Sequence, residues 1–554
     1  MMRPRLHGTD GIRGRIEPFD GDDTAALNAL IEQRILSKRA MRIIGEATGL
    51  YLIGDVGDSP LVIIGWDRRD GNAELVDALE SGLGAAGCRT LKVGELPTPG
   101  LHHAVLASAA DAGMMVTASH NPATDSGVKF FDAEGYKSMP TVEDRISALA
   151  WELADGGLAT PQEKSESLEQ IDGLRIYRSG LKMRLKVFES LFDVDFEYVD
   201  WNGIVAPQGL ILDCSGGAAT EWFADGLSRR GLDTIEVSSR LDPINHNCGA
   251  GDFSPTAKWT IRELLMEAPT HRLLWTVAQR LEANDGMSFW EAGQIVGAAL
   301  DGDGDRCLIL EGTSDGLQVV DGDRMCDDIM RAAISVRSGS WKMAASIESD
   351  LGLTSDLSRL GEHVALTTAV GDRWLSAALC PESGEKILKY PEYPRLIGAE
   401  DSGHLVMPVP CPNQEDSWGL VGDGAATLLA SLMARAGLRN NGGAPAFQGG
   451  WKKRISIQPS VRERWTGNNE LSKLVQSAAE QWCGTALVQT EVEGETTLQL
   501  LEGTLNGSPI SIAVRNSGTE AKTSISIRFA RGIEVDGDEL MSRLEEELRP
   551  HLSP

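Results

Sequence analysis

Basic residues are scarce in this sequence relative to acidic ones. The 554 residues include 52 Lys and Arg against 81 Asp and Glu, which gives a formal charge of −29 at pH 7. A protein that binds nucleic acid or an acidic membrane needs cationic surface to displace counterions, and this global charge repels phosphate polymers. The sequence therefore predicts neither a nucleic-acid nor a membrane partner, although it leaves room for a local basic pocket.

Paired cysteines and long apolar runs are also missing. The eight cysteines are scattered, without a C-x-x-C pair or a spacing typical of disulfides. The opening residues, MMRPRLHGTDGIRG, lack the apolar core of a signal peptide, and no segment approaches the roughly 18 uncharged apolar residues of a membrane span. We therefore expect a cytoplasmic protein with reduced thiols.

Apolar runs typical of buried strands alternate with helical spacing over most of the chain. Residues 61–65 are typical of a strand and 73–86 of a helix, and residues 209–213 begin a second unit of this kind. Repeated strand–helix–strand units favour largely parallel sheets covered by helices. The last part of the chain alternates in polarity instead, as in 524–529, and ends with a charged helix at 538–548.

The motif TASHNP at 117–122 directly follows a predicted strand. Its Asn-Pro turn would hold Ser119 and His120 at the carboxyl edge of a sheet, where Ser119 is a candidate nucleophile or phosphate carrier. The G-x-S-x-G elbow of acyl hydrolases is excluded because Thr117 and Asn121 occupy its glycine positions. Taken alone, the motif favours an ordinary polar turn over a catalytic loop.

The motif DGDGDR at 301–306 offers three carboxylates separated by glycines: Asp301, Asp303 and Asp305. An EF-hand is excluded because Arg306 stands where glycine is required and Gly312 where glutamate is required. Clustered carboxylates repel one another without a cation, which favours a metal site over a solvated turn. Mg²⁺ fits best because it accepts few protein carboxylates and leaves positions for a phosphate oxygen.

A third motif, GAEDSGH at 398–404, gathers Glu400, Ser402 and His404 in a glycine-flanked loop. A carboxylate, a hydroxyl and an imidazole together are what recognition of sugar hydroxyls requires. A polar surface turn is the alternative for this segment in isolation.

A fourth motif, RNSGTE at 515–520, combines the guanidinium of Arg515 with two hydroxyls and a glycine before an alternating strand. Backbone N–H groups and an Arg fork form a phosphate cradle, whereas a hairpin turn is the simpler alternative. Near the start, HGTDGIRG at 7–14 places Arg13 among glycines.

In this order, the motifs resemble the α-D-phosphohexomutase superfamily, which includes phosphoglucomutase, phosphomannomutase and phosphoglucosamine mutase. Secondary matches extend over most of the chain, among them LPTPG at 96–100, SGVKFF at 126–131 and VGDR at 370–373. The N-terminal motif and the VKFF segment are most similar to the phosphoglucosamine mutase branch.

The resemblance implies an α/β protein with three similar mixed α/β domains and a smaller C-terminal α+β domain around a central cleft. By composition, the turn-rich stretches 156–167 and 440–445 are candidate linkers. The expected domains are 1–165 with the phosphoserine loop, 166–297, 298–440 with the metal loop at its start and the sugar-binding loop, and 441–554 with the phosphate-binding loop.

The resemblance also assigns roles to residues. Ser119 is implied as the phosphoserine and as a metal ligand together with the three aspartates of the 301–306 loop, and Lys129 as a general acid or base whose pKa, ordinarily about 10.4, must then be lowered. The implied catalytic residues are Ser119, His120, Lys129 and Arg13. The implied substrate-binding residues are Arg306, Glu400, Ser402, His404, Arg515, Ser517, Gly518 and Thr519.

The implied reaction is a Mg²⁺-dependent interconversion of the 6-phospho and 1-phospho forms of a hexose or hexosamine. It passes through a phosphoserine and a bisphosphorylated sugar, with a sugar 1,6-bisphosphate as activator. Phosphoglucosamine mutase activity is favoured, and phosphomannomutase or phosphoglucomutase activity and a non-catalytic sugar-phosphate-binding protein are the alternatives. A monomer or a homodimer is expected.

The sequence departs from the family pattern at Trp66, Asp401 and Asn516, which bears on the sugar used rather than on the reaction type. Two segments, 17–39 and 258–293, are longer than is typical. We expect them to form surface helices that pack on the second domain.

Overall fold

The computed structural model describes residues 3–156, 167–267, 269–517, 521–533 and 535–554, which fold as four β-sheets flanked by helices. Successive parts of the chain build successive sheets. The candidate linker at 156–167 lies almost entirely outside the described residues, whereas the one at 440–445 begins in the last turn of a helix that ends at Asn441.

The first sheet has seven strands: β1 (Ile12–Ile16), β2 (Ile35–Leu36), β3 (Leu61–Trp66), β4 (Arg89–Glu95), β5 (Ala112–Val116), β6 (Asp125–Asp132) and β7 (Ser167–Leu168). Their order across the sheet is β2-β1-β6-β5-β3-β4-β7. The accompanying helices are α1 (Asp23–Gln33), α2 (Lys38–Val56), α3 (Asn72–Ala86), α4 (Thr98–Ser108), α5 (Pro140–Gly156) and α6 (Gly173–Phe192). The apolar run of β3 is buried between the helices on the two faces, as expected for an interior strand.

The second sheet has six strands: β8 (Leu210–Asp213), β9 (Thr234–Glu236), β10 (Lys258–Thr260), β11 (Ile295–Leu300), β12 (Cys307–Gly312) and β13 (Gly316–Val320). Their order is β10-β13-β12-β11-β8-β9. The helices α7 (Trp222–Ser228), α8 (Ile261–Met266) and α9 (Arg272–Ala283) belong to this part of the chain.

The third sheet has six strands: β14 (Lys342–Ser346), β15 (Val364–Thr368), β16 (Leu388–Lys389), β17 (Leu396–Ala399), β18 (Leu405–Pro410) and β19 (Ser417–Gly422), in the order β15-β14-β17-β18-β19-β16. Its helices are α10 (Gly322–Val336), α11 (Leu351–Ser355), α12 (Asp372–Leu379) and α13 (Gly424–Asn441). The turn at 321–324 leads into α10, where Asp321 is the N-cap and accepts a hydrogen bond from the Arg324 N–H.

The fourth sheet is antiparallel throughout, in the order β20-β24-β23-β22-β21. Its strands are β20 (Trp451–Ile457), β21 (Val488–Thr490), β22 (Gln499–Leu505), β23 (Ser508–Asn516) and β24 (Thr523–Phe529), and its helices are α14 (Glu470–Cys483) and α15 (Gly537–Leu552). The alternation predicted for this region is confirmed, because buried and less buried residues alternate through the first half of β24.

The first three sheets share one four-strand plan. The series β6-β5-β3-β4, β12-β11-β8-β9 and β18-β17-β14-β15 correspond, and in each series the first strand is antiparallel to the second while the others are parallel. The expectation of similar mixed α/β units is confirmed. In each series the antiparallel pair is joined by a short loop, and that loop carries one of the predicted motifs: 117–122, 301–306 or 398–404.

Three expectations need correction. The sheets are mixed rather than largely parallel. The expected domain limit at 297/298 falls within β11, whose neighbours β8 and β12 belong to the same sheet, and β7 of the first sheet lies beyond residue 165. We therefore propose limits after Leu168 and after Val320, which keep each sheet whole. The extra segment 17–39 packs on the first sheet's own α2 and α5 rather than on the second domain.

Candidate active site

The first three motif loops meet in a cleft, where their side chains contact one another. Ser119 Oγ donates a hydrogen bond of 2.9 Å to Asp301 Oδ2, which links the loop after β5 to the loop after β11. His404 Nε2 lies 2.7 Å from Asp305 Oδ1, which links the loop after β17 to the same aspartate loop. Three segments far apart in sequence thus form one polar centre.

Ser119 lies in a buried turn with an unusual backbone. Its φ is 53°, in the left-handed region, and 1% of the residue is exposed. The side chain of Asn245, from the second sheet's part of the chain, donates a 2.8 Å hydrogen bond to the Ser119 carbonyl. Arg69 donates hydrogen bonds to four backbone carbonyls of the loop, those of Ser119, Asn121, Pro122 and Asp125. The Arg69 guanidinium therefore fixes the conformation that presents Ser119.

Replacing Arg69 with Lys is expected to lower kcat by about ten- to a hundredfold, because an ammonium cannot hold four carbonyls in the guanidinium's fixed planar geometry. Lys keeps a positive charge beside the buried Asp67, which lies 3.0 Å from Arg69, so the fold is expected to survive. Steady-state kinetics together with circular dichroism check this. Arg89→Lys, at a solvent-exposed Arg–carbonyl contact, is the matched control. A wild-type kcat in R69K contradicts the role of Arg69.

The three aspartates of the 301–306 loop are fully buried, and one oxygen of each lies within 4.8 Å of the others. Burial, and repulsion from Asp305 and Asp303, raise the pKa of Asp301 to about 7. Among the described residues, Asp303 Oδ1 is buried without a hydrogen-bond partner. A divalent cation would relieve both the repulsion and the unpaired oxygen, and three hard oxygen donors suit Mg²⁺. The residues present therefore fit this metal.

Neighbouring helix ends hold the backbone of the aspartate loop. At the start of α4, the Thr98 N–H donates a 2.8 Å hydrogen bond to the Asp303 carbonyl, and the Thr98 hydroxyl donates to Asp303 Oδ2. At the start of α13, the Gly424 N–H donates a 3.0 Å hydrogen bond to the Gly304 carbonyl. A Cβ on Gly424 would lie 2.3 Å from the Arg306 carbonyl, so only glycine permits this approach.

The raised pKa of Asp301 predicts a pH-dependent response to Mg²⁺. A carboxyl whose pKa is about 7 in the fold, and ordinarily 3.8, makes the metal-free protein less stable as pH rises through that interval. Mg²⁺ binds the ionised carboxylate and should therefore raise the melting temperature more at about pH 8 than at about pH 5.5. Differential scanning calorimetry at both values checks this, with NaCl of equal ionic strength as the control. Equal shifts at the two pH values contradict it.

Lys129 lies inside the acidic cluster. Its Nζ is 2.8 Å from Asp303, 3.0 Å from Asp10 and 3.2 Å from Asp305. Burial alone would lower the pKa of Lys129, but these carboxylates raise it well above its usual value. This is opposite to the lowering that a general base requires, so Lys129 is a fixed cation here. Lys137, which lies 3.2 Å from Asp305, is a second one.

The third motif forms a connected set of side chains. Ser402 Oγ donates to Glu400 Oε2 at 3.4 Å, His404 Nδ1 lies 3.1 Å from the same oxygen, and the Gly371 N–H donates to Glu400 Oε1 at 2.6 Å. Burial disfavours charge on His404, but Asp305 and Glu400 outweigh it and raise its pKa to about 10. His404 is therefore a cation at neutral pH.

A cavity of about 190 Å³ opens onto this centre, and its lining includes Arg13, His120, Arg306, Glu400 and His404. Arg306, burial and Arg13 hold the pKa of His120 well below its usual value, so its imidazole is neutral. Arg306 Nε is buried and has no hydrogen-bond partner among the described residues. Its wall carries three arginines and the cationic His404 against the carboxylates Asp10, Asp372 and Glu400, a small positive excess that suits a small anionic ligand.

The fourth motif lines a second cavity, of about 520 Å³, which shares Thr9 and Val370 with the first. Arg515 and Ser517 belong to its wall, as do three further arginines: Arg5, Arg373 and Arg462. The other two expected phosphate ligands, Gly518 and Thr519, lie outside the described residues.

Two departures from the family pattern have structural partners. Asp401 Oδ2 lies 3.1 Å from Nζ of Lys452, a partly buried residue on β20. Asn516 donates hydrogen bonds of 2.9 Å to the carbonyls of Arg462 and Trp465. Asp401 therefore ties the third motif loop to β20, and Asn516 holds the segment between β20 and α14. Trp66 packs against the first sheet's core.

Several side chains of the centre were not predicted from the sequence: Asp10, Arg69, Thr98, Lys137 and Asn245. Thr98 lies in the LPTPG segment and Arg69 follows the strand β3, so the local sequence could have suggested both as residues of the centre. Asn245 and Lys137 had none, because their contacts form only when separate parts of the chain come together.

Comparisons with known proteins agree with this geometry. Residues 4–155 match the family described as phosphoglucomutase/phosphomannomutase, alpha/beta/alpha domain I. A phosphoglucosamine mutase from a Jannaschia species is 30% identical over 443 residues, which cover 80% of this chain and 80% of that protein. This chain belongs to the phosphohexomutase family. A phosphoglucosamine mutase from Saccharopolyspora erythraea is 29% identical over 444 residues, 78% of each protein.

Solved phosphohexomutase structures share the fold. A phosphoglucomutase/phosphomannomutase family protein from Burkholderia thailandensis aligns with a TM-score of 0.59 and 21% identity, over 99% of this chain and 96% of that one. The phosphoglucomutase parafusin from Paramecium aligns with a TM-score of 0.63 and 16% identity, over 99% and 94%.

As a phosphohexomutase, the protein is an isomerase that moves a phosphoryl group within a phosphosugar. Its eight cysteines are all free in the structure. Within the described part of the chain, no helix combines the length and apolarity of a membrane span.

Proposed function

We propose that this phosphohexomutase interconverts glucosamine 6-phosphate and glucosamine 1-phosphate through a phosphorylated Ser119 and a bisphosphorylated sugar. The observation that carries the proposal is the direct hydrogen bond between Ser119 Oγ and Asp301, which places a buried hydroxyl against a buried three-carboxylate site. The preference for glucosamine rests on the relatives that are named phosphoglucosamine mutases.

Asp301, Asp303 and Asp305 would hold Mg²⁺ together with the phosphate on Ser119. When bound, the ion supplies positive charge that neutralises the phosphate oxygens and the three carboxylates. Lys129 adds a second fixed positive charge from within hydrogen-bond distance of Asp303. The burial of Ser119 and the three aspartates limits access of water to the phosphorylated serine, which protects it from hydrolysis.

Each residue of the cleft has a proposed role in transfer. The phosphoryl group leaves Ser119 Oγ as its P–O bond breaks, and a new P–O bond forms to the free hydroxyl of the sugar. The neutral His120 accepts the proton of that hydroxyl, since the low pKa of its imidazole leaves it unprotonated. Lys129 stays protonated throughout and balances negative charge at the centre, and the serine oxygen takes up the proton released by the sugar hydroxyl. Arg13 and Arg306 balance the charge of the cavity wall.

The resulting bisphosphorylated sugar must reorient within the cleft before its other phosphoryl group is transferred to Ser119. Glu400, Ser402 and His404 would bind sugar hydroxyls in both orientations. The phosphate not being transferred would bind at Arg515 and the loop that follows it. A sugar 1,6-bisphosphate is the activator because it can phosphorylate a bare Ser119.

The test is incubation with Mg²⁺, a trace of the matching 1,6-bisphosphate, and the 6-phosphates of glucosamine, glucose or mannose in turn. We expect 1-phosphate from glucosamine 6-phosphate with the highest kcat/KM. A higher value for glucose or mannose overturns the sugar assignment. Formation of no 1-phosphate from any of the three overturns the proposed reaction.

A further inference from the structure

Both terminal nitrogens of Arg515 face carboxylates. Its Nη2 lies 2.9 Å from Glu348 Oε1, and its Nη1 lies 3.5 Å from Glu495 Oε1. These two nitrogens form the fork with which an Arg side chain binds two oxygens of a phosphate. The group expected to receive the substrate's phosphate is therefore already engaged by acids of the protein itself.

Glu348 also binds a second arginine. It lies in the connection between β14 and α11, and its other oxygen, Oε2, accepts a hydrogen bond from Arg454 on β20. Arg454 pairs with Ser526 of β24, and Arg515 pairs with Ser524, two residues away on the same strand. Because alternate residues of a strand share a face, the two arginines lie on one face of the fourth sheet. Glu348 thus bridges two guanidiniums, as a phosphate would.

The local charges cancel without a ligand. Two arginines and two glutamates meet here, and Arg515 and Arg454 hold the pKa of Glu348 at about 2 despite its burial. At the Arg515 fork itself, a phosphate meets two carboxylates against two guanidiniums, although Arg5, Arg373 and Arg462 line other parts of the cavity. Like charges at this distance repel strongly. For a phosphate to use both terminal nitrogens of Arg515, at least one carboxylate must withdraw.

We propose that Glu348 is an internal competitor of the substrate: its carboxylate occupies Arg515 until the phosphate of the sugar displaces it, so that Glu348 sets the affinity of the phosphate site. Displacement does not leave a buried charge unpaired, because Glu348 keeps its contact with Arg454. The exchange therefore costs one ion pair rather than two. This inference rests on the proposed role of Arg515 as a phosphate ligand.

The alternative role for Glu348 is to orient Arg515 for phosphate, and the two roles predict opposite signs. If Glu348 competes, Glu348→Gln should bind inorganic phosphate about tenfold more tightly than the wild type, because a neutral amide no longer repels the anion. The KM for glucosamine 6-phosphate should fall by a similar factor without a matching gain in kcat. If Glu348 orients Arg515, phosphate binding weakens and KM rises.

The experiment is isothermal titration calorimetry with inorganic phosphate on the full chain, followed by steady-state kinetics. Arg515→Gln is measured in parallel to identify the binding that depends on Arg515. Glu311→Gln is the matched control, since the Glu311 side chain is about as little exposed as that of Glu348, 10% against 13%, and pairs with an arginine, Arg435, at 2.6 Å. E311Q should leave phosphate binding unchanged.

Unchanged or weaker phosphate binding in E348Q, with binding that still depends on Arg515, overturns this inference alone. Phosphate binding that is insensitive to R515Q overturns the proposed role of Arg515 as well. Should E348Q fail to fold, Glu348→Asp keeps a charge for Arg454 and draws it back from Arg515 by one methylene. E348D should then tighten phosphate binding in the same direction by a smaller factor, and its failure to do so overturns the inference.

Discussion

Replacing Ser119 with Ala is expected to abolish the phosphoenzyme and to lower kcat by roughly a thousandfold or more, because the carrier oxygen is lost and no other group can take its place. The fold should remain, since the substitution removes one hydrogen bond, to Asp301, worth about 1 kcal/mol. The backbone conformation at φ 53° is no harder for Ala than for Ser.

Intact mass spectrometry after incubation with a sugar 1,6-bisphosphate measures the phosphoenzyme, and a coupled assay measures turnover. Ser81→Ala, on the exposed side of α3, is the matched control and should behave as the wild type. A phosphorylated S119A protein, or one with wild-type turnover, would show that Ser119 is not the carrier.

Replacing Asp301 with Asn is expected to raise the Mg²⁺ concentration needed for half-maximal activity by about tenfold to a hundredfold, and to lower activity at any fixed Mg²⁺ concentration. The Asn amide oxygen is a weaker metal ligand than a carboxylate oxygen, and the neutral amide cannot balance the positive charge of Mg²⁺. Without metal, the D301N protein should melt at the same temperature as the metal-free wild type or higher. Burial and repulsion from the neighbouring aspartates already disfavour the ionised form of Asp301, so removing its charge costs no stability.

Activity against Mg²⁺ concentration and calorimetry of the metal-free proteins separate these two effects. Asp315→Asn, in the exposed turn between β12 and β13, serves as the control of equal chemistry. An unchanged Mg²⁺ curve in D301N would remove Asp301 from the metal site. A much lower melting temperature of metal-free D301N would show that the Asp301 carboxylate stabilises the metal-free fold, contrary to this prediction.

The motif loops could be predicted because each is one short segment that joins two neighbouring strands. The aspartate loop, for example, runs from β11 to β12 and contains all three carboxylates, so their proximity follows from local sequence. The strand directions could not be predicted in the same way. All six residues of β12 are buried, and a fully buried strand has the same apolar pattern whether it is parallel or antiparallel.

The charge state of Lys129 shows where reasoning from sequence ends. Its burial follows from the apolar run around it, and burial alone predicts a lowered pKa. The structure adds Asp10 from the 7–14 motif and two aspartates from a loop more than 170 positions away. These carboxylates raise the pKa of Lys129 instead of lowering it. The same holds for Glu348 and Arg515, whose contact spans 167 positions and joins the third sheet's part of the chain to the fourth.

The burial of Ser119 should make a phosphoryl group on this serine long-lived. With 1% of the residue exposed, a phosphoryl group placed there is shielded from bulk water and from other proteins, so it should outlast the turnover that left it. With the proposed role of Ser119, a molecule that has released its product keeps its phosphoryl group for the next substrate, whichever isomer arrives. The fraction of resting protein that is phosphorylated would then depend on earlier exposure to a bisphosphorylated sugar. Protein made without that sugar would start unphosphorylated.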